Sequence, residues 1–191
     1  MYKNMKRKEF LNTCNTCGAL SLLGLFNIDM VNAQGNSIKK EDTDGEPMNK
    51  DQIRQLLKFI DSSINKSNRK KIFNTLGVDC LYTRNLDKWV VSFKNNQQEF
   101  FNRVQRGESK YWEKLEYDKE KSVITLVGRK FQSCACEYGQ CNEPPKSLCN
   151  YCCKSFQEEL FGILLGKNVN VRIDESIILG GERCSTTIFV S

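Results

Sequence analysis

Trp112-Glu113-Lys114-Leu115-Glu116-Tyr117, then Asp118 to Lys121, then Ser122-Val123-Ile124-Thr125-Leu126-Val127-Gly128 mark the point where the chain changes its period. The first six residues alternate apolar with charged, the next four make a polar turn, and the last seven are rich in β-branched residues. That pattern predicts a β-hairpin. Upstream the apolar spacing is helical. Ile53, Leu56, Leu57, Ile60 and Ile64 share one helix face, and a second helix runs from about Asn68 through Ile72, Phe73 and Leu76 to a stop at Gly77. Helical stretches also fit Leu86 to Phe93 and, through Phe100, Phe101 and Val104, the run up to Gly107. Downstream, Cys152, Phe156, Leu160, Ile163 and Leu164 line a helix that ends at Gly166. Val169, Val171 and Ile173 alternate as a strand, Gly180-Gly181 turn the chain, and Cys184 to Val190 returns as the last strand. The expected fold is therefore α+β: an N-terminal helical layer, and an antiparallel sheet of two hairpins with a long helix between them.

The first 33 residues read as an export signal. Basic Lys3, Lys6, Arg7 and Lys8 precede an apolar run of 11 residues, Gly18 to Ile28, too short to cross a bilayer of roughly 30 Å as a helix. Val31-Asn32-Ala33 then suits cleavage before Gln34. Lys6-Arg7-Lys8-Glu9-Phe10-Leu11 resembles a twin-arginine export signal, with Lys8 where the second arginine would stand. Residues 34–48 carry charge and turn formers and read as a flexible tether, leaving residues 49–191 as a single cysteine-rich domain. The expected location is the periplasm. No transmembrane segment is expected in the mature chain.

The chain has 191 residues, 29 Lys and Arg against 23 Asp and Glu, 10 Cys and no His. Without histidine, a Ser-His-Asp or Cys-His nucleophile, an imidazole-ligated haem and every imidazole-dependent zinc site are excluded. The modest basic excess contains no arginine-rich stretch interleaved with aromatics, so no nucleic acid partner is expected. The expected partner is a small molecule or a metal ion.

Cys14 and Cys17 leave with the signal, and Cys80, Cys134, Cys136, Cys141, Cys149, Cys152, Cys153 and Cys184 remain. Six of these fall between Cys134 and Cys153. Three chemistries compete for such crowding. An even count in an exported chain suits disulfides, although Cys134 with Cys136 closes too short a loop to stabilise much. A thiolate metal site would draw on Cys134, Cys136, Cys149 and Cys152, holding zinc or an iron–sulfur cluster, although only Cys149 and Cys152 keep Cys-x-x-Cys spacing. A reactive thiol would arise if Ser147 or Asn150 caps the helix after Pro144-Pro145, placing Cys149, Cys152 and Cys153 in its first turn, where the helix end favours a thiolate. Cys149 and Cys152 are then the catalytic candidates, with Glu137, Glu158 or Glu175 available as a base. Cys80 alone reads as a buried small residue.

Leu148-Cys149-Asn150-Tyr151-Cys152-Cys153, the helix through Leu160-Phe161-Gly162 to Gly166-Lys167, then Val169, Val171, Glu175-Ser176 and Gly180-Gly181-Glu182-Arg183-Cys184 resemble the closing half of 4-vinyl-reductase-type small-molecule-binding domains and their cysteine-rich bacterial relatives. The resemblance covers the last third of the chain. It implies metal ligands at two cysteines, with a glutamate and a third cysteine on the strand between. Cys149 and Cys184 match ligand positions, while the other two fall near Ile173 and Ser176, which are not competent ligands. Cys136, Cys152 and Cys153 are the candidate substitutes. The ligand-binding set expected from this resemblance is Cys149, Cys153 and Cys184. The stretch Ile177-Ile178-Leu179-Gly180-Gly181-Glu182-Arg183-Cys184 also resembles the last strands of proteins grouped with L-2-amino-thiazoline-4-carboxylate hydrolase, which implies an enzyme that opens a sulfur heterocycle. The expected function is thus an exported domain binding a metal ion or small ligand through clustered thiolates, with that hydrolase and a disulfide-stapled structural module as alternatives.

Overall fold

The computed structural model describes residues 48–191; the export signal and nearly all of the expected tether lie outside the described residues. Asn49 opens helix α1 (Lys50–Ser63) with a capping box: its side-chain oxygen accepts from the Asp51 and Gln52 N–H groups while Gln52 Oε1 accepts from the Asn49 N–H. Residues 54–191 form one compact unit.

Within that unit Leu57 and Ile60 of α1 are fully buried, as their spacing predicts. Helix α2 (Lys66–Thr83) is capped by Asn65, whose side chain accepts from the Asn68 N–H at 3.0 Å. Here the sequence reading needs correction. Gly77 does not end the helix but lies in its middle, buried, and α2 continues for six more residues through Cys80. The glycine is there because the backbone of Cys152 crosses the helix at this point. A Cβ at position 77 would run into the Cys152 carbonyl. Two short helices follow, α3 (Leu86–Val91) and α4 (Gln97–Gln105), the latter capped by Asn96.

The sheet is four-stranded and antiparallel throughout, in the order β1-β2-β4-β3, with β1 at Trp112–Asp118, β2 at Val123–Gly128, β3 at Val169–Glu175 and β4 at Ser185–Val190. The two expected hairpins form, and β2 pairs with β4 to join them, setting Ile124 opposite Ile188 and Leu126 opposite Thr186. Period-two alternation puts Ile124, Leu126, Thr186, Ile188 and Val190 on one buried face. Helix α5 (Lys154–Leu165) lays Leu160, Phe161 and Leu164 into the same core, where they meet Phe93, Phe100, Phe101 and Val104. Gly166 ends α5 in the left-handed region at φ +64°, its N–H donating to the Gly162 carbonyl.

Strand β3 is an edge, and it is guarded. The outward Val171 N–H, which would otherwise invite another strand, donates to Glu158 Oε1 of α5 at 3.1 Å. None of the described helices is long and apolar enough to cross a membrane.

Candidate thiol site

The loop between β2 and α5 carries Cys134, Cys136 and Cys141, and three cationic side chains fasten it. Arg54 donates to the Glu137 carbonyl at 2.7 Å and 3.2 Å, Arg84 reaches the Glu137 carboxylate at 3.4 Å, and Lys58 donates to the Asn142 carbonyl. Among the described residues none of the eight cysteines from Cys80 to Cys184 is joined to another.

Cys149, Cys152 and Cys153 lie on a π-helical turn, Leu148–Cys153, that leads directly into α5. Such wide turns are rare and recur at functional sites. Ser147 stands at its start, as the sequence predicts, but does not cap it. Its hydroxyl instead donates to Asp61 Oδ1 of α1, and Asp61 Oδ2 accepts from the Lys146 N–H at 3.0 Å. The carboxylate of a separate helix thus takes the capping role. Asp61→Ala is expected to lower stability by about 1–2 kcal/mol, as for loss of a helix cap, read as a lower denaturant midpoint.

The most acidic of the cysteine thiols is Cys149, by a different cause from the helix end considered in the sequence. The Cys149 thiol is held down to about 7 by a hydrogen bond from Cys153, and further by the Ser176 hydroxyl and the Ile178 N–H, all against burial, which pushes it up. Ser176 Oγ donates to Cys149 Sγ at 2.8 Å in a fully buried contact. Cys153 is driven the other way, well above the ordinary thiol value, because its hydrogen bond to Cys149 holds its proton and burial adds to it. Of the two, Cys149 is thus the first to lose its proton as pH rises.

Ser176, Ile177 and Ile178 form a donor turn at the end of β3. The Ser176 hydroxyl and Ile178 N–H face Cys149, while the Ile177 N–H and the same hydroxyl face Cys184. Burial nevertheless keeps the Cys184 thiol raised. Cys134 closes the group. It is buried, close enough to feel charge on Cys149 and Cys184, and pushed up to about 12, chiefly by burial. Cys136 and Cys152 are also raised, first by burial. Burial also raises the Cys80 thiol, against the nearby Arg84 guanidinium. Cys141 stands off, its thiol donating to the Tyr138 carbonyl at 3.7 Å.

Of the residues singled out in the sequence, Cys149 and Cys184 lie at Ser176, Cys153 lies beside Cys149, and Cys134, Cys136 and Cys152 are near enough to feel charge on Cys149. Glu175, named as a possible base, is engaged elsewhere: its carboxylate accepts the Glu182 N–H at 2.7 Å and the Arg183 N–H at 3.3 Å, shaping the β3–β4 turn. Glu158 is taken up by Val171 and Lys154. Among the described residues no three or more Cys, Asp or Glu side chains are grouped so as to hold a metal ion, so Cys134, Cys136, Cys149 and Cys152 share a neighbourhood without making a ligand sphere. Sequence reasoning missed the parts played by Asp61, Gly77 and Ile178, since each acts through a contact distant in sequence. Two adjoining surface clefts, of about 550 and 570 Å³, run along α5 past Glu159, Gly162, Lys167 and Asn168, and no cysteine lines either.

No protein-family model and no curated protein sequence matches the chain. Among solved structures it is similar to a trafficking protein particle complex subunit 3 from Naegleria fowleri covalently bound to palmitic acid, with 10% identity, 97% of each chain covered and a TM-score of 0.35. A likeness at that level assigns neither fold nor chemistry.

Proposed function

We propose that this chain is an exported cysteine-rich domain that binds a metal ion or small ligand through clustered thiolates, with Cys149 as the sulfur that attaches. The observation that carries this reading is the buried Ser176 hydroxyl donating to Cys149 Sγ at 2.8 Å, in surroundings that lower the pKa of this thiol and raise those of Cys134, Cys136, Cys152, Cys153 and Cys184. A sulfur whose acidity is raised in this way carries more thiolate near neutral pH than an ordinary cysteine, and the thiolate is the form that binds soft metals and attacks electrophiles. Cys153 and Cys184 flank it. The residues present do not fit a four-thiolate zinc or iron–sulfur centre, which needs four sulfurs converging on one point. The ligand is therefore a thiophilic one that needs fewer sulfurs. Export rests on the basic, apolar and cleavage pattern of residues 1–33, and places the site in the periplasm after processing near Ala33.

The test is reaction of the native, reduced chain with p-hydroxymercuribenzoate, mapped by mass spectrometry. Cys149 is expected to react faster than the comparably buried Cys152, with a rate that climbs with pH around a midpoint of about 7 as its proton leaves. Ser176→Ala should move that midpoint upward, toward the ordinary thiol value of 9.0. If Cys149 reacts no faster than Cys152, the reading fails.

A further inference from the structure

We infer that the cleft between α5 and the edge of β3 is a second binding site, for a short peptide of about three residues held extended. The peptide's ammonium end lies at Asp79 and Ser155 and its carboxylate end at Lys167. No cysteine lines this cleft, so the inference stands apart from the thiol site.

Strand β3 has a strand neighbour, β4, on one side only. The Asn168 carbonyl accepts from the Ser191 N–H, so even-numbered residues at this end turn their backbone groups toward β4. Odd-numbered ones turn outward, as the Val171 N–H does toward Glu158. Val169, which lines the cleft, therefore turns its N–H and C=O outward, and neither has a hydrogen-bond partner among the described residues. Such a pair on an edge residue is what an added extended peptide requires. Glu158 occupies the next outward N–H, so the opening takes a short peptide and not the full strand of a partner protein.

Ser155 is the second observation. It is 7% exposed and lines the cleft, yet its hydroxyl has no hydrogen-bond partner among the described residues. Ser62 and Thr83, by contrast, donate back to carbonyls of their own helices. A buried hydroxyl without a partner is uncommon, and a ligand in the cleft supplies one.

Helices α2 and α5 run in the same sense, Gly77 lying against Cys152 and Tyr82 Oη donating to Glu159 Oε1 at 2.5 Å. One turn back from that second contact, α2 carries Asp79 and α5 carries Ser155, and both line the cleft. Two turns on from Ser155, about 10 Å along α5, Gly162 lies against the Lys167 carbonyl. Among the described residues no ion pair engages Asp79 or Lys167. An extended peptide advances about 3.3 Å per residue, so three residues reach from one charge to the other. From Lys167, β3 runs back along α5 to Val171 at Glu158. A peptide with its ammonium at Asp79 thus runs antiparallel to β3, the sense in which one residue exchanges both bonds with Val169.

The purified full chain is titrated calorimetrically with trialanine, its N-acetyl form, its C-terminal amide and the analogue methylated at the central nitrogen. One trialanine is expected per chain, and each modified peptide should bind more than about tenfold more weakly. Asp79→Asn should weaken trialanine by a similar factor and leave the N-acetyl form nearly unaffected; Lys167→Met should do the same for the amide. Ser155→Ala should weaken trialanine severalfold, and Lys119→Ala, in the β1–β2 turn, should leave it unchanged. Circular dichroism checks that the variants fold; should one misfold, the peptide series on the unaltered chain decides. No saturable binding of trialanine, equal binding of the four peptides, tighter binding of spermidine than of trialanine, or losses in Asp79→Asn and Lys167→Met that ignore the peptide's ends would each overturn the inference.

Discussion

Phe100→Ala is expected to destabilise the domain by about 3–5 kcal/mol, out of a total of about 5–15 kcal/mol for an ordinary domain. Phe100 is 1% exposed and forms the hub of an aromatic cluster, with ring centroids 5.5 Å from Trp89, 5.6 Å from Phe93, 6.0 Å from Trp112 and 6.1 Å from Phe161. It joins α3, α4, β1 and α5 at once. Removing the ring leaves a cavity walled by four elements that cannot all move inward, so both the transfer and the cavity contributions should be felt. Urea denaturation reads the effect as a fall in midpoint at an unchanged slope. Phe189, 39% exposed on the opposite face of the sheet beneath Arg172, provides the comparison, and its truncation should cost under about 1 kcal/mol. Equal losses at the two positions would show that the core does not centre on Phe100.

Gly77→Ala has an expected sign opposite to the one helix propensity dictates. In a free helix the exchange would stabilise by about 1 kcal/mol, because glycine loses more backbone freedom on folding than alanine. Here the new methyl meets the carbonyl, carbonyl carbon and Cα of Cys152, all backbone, with no flexible side chain to give way. The crossing of α2 over the π-helical turn must open, and overpacking of this kind costs about 1–3 kcal/mol. The variant should therefore unfold at lower urea than the unaltered chain. The same displacement should pull Cys149 from the Ser176 donor and slow its reaction with the mercurial at pH 7. A stabilised Gly77→Ala would mean that α2 does not bear on the turn.

Much of the fold was legible because it follows from short-range periodicity. The alternation at Trp112–Tyr117, the β-branched run at Val123–Val127 and the stripe Phe156, Leu160, Ile163 and Leu164 each announce an element, and each forms where expected. Gly77 misled because glycine punctuates helices and also permits close approach; only the partner backbone distinguishes the two, and that partner lies 75 residues away. Cys149 was singled out in the sequence by the crowding of cysteines around it and because it, like Cys184, falls at a ligand position of the domains the chain resembles. Its hydrogen-bond partner Ser176 stood at a position where the resemblance implied a ligand, and it serves instead as a donor.

The amino-acid order by itself determined which segments are helix and strand, where the hairpins turn, and that no chemistry here can use imidazole, because those properties depend on side-chain type and near-neighbour spacing. The tertiary structure alone decided which of eight similar thiols is the most acidic. A thiol's acidity depends on the donors and the desolvation around its sulfur, and for Cys149 these come from a turn 27 residues further along the chain as well as from its own helix.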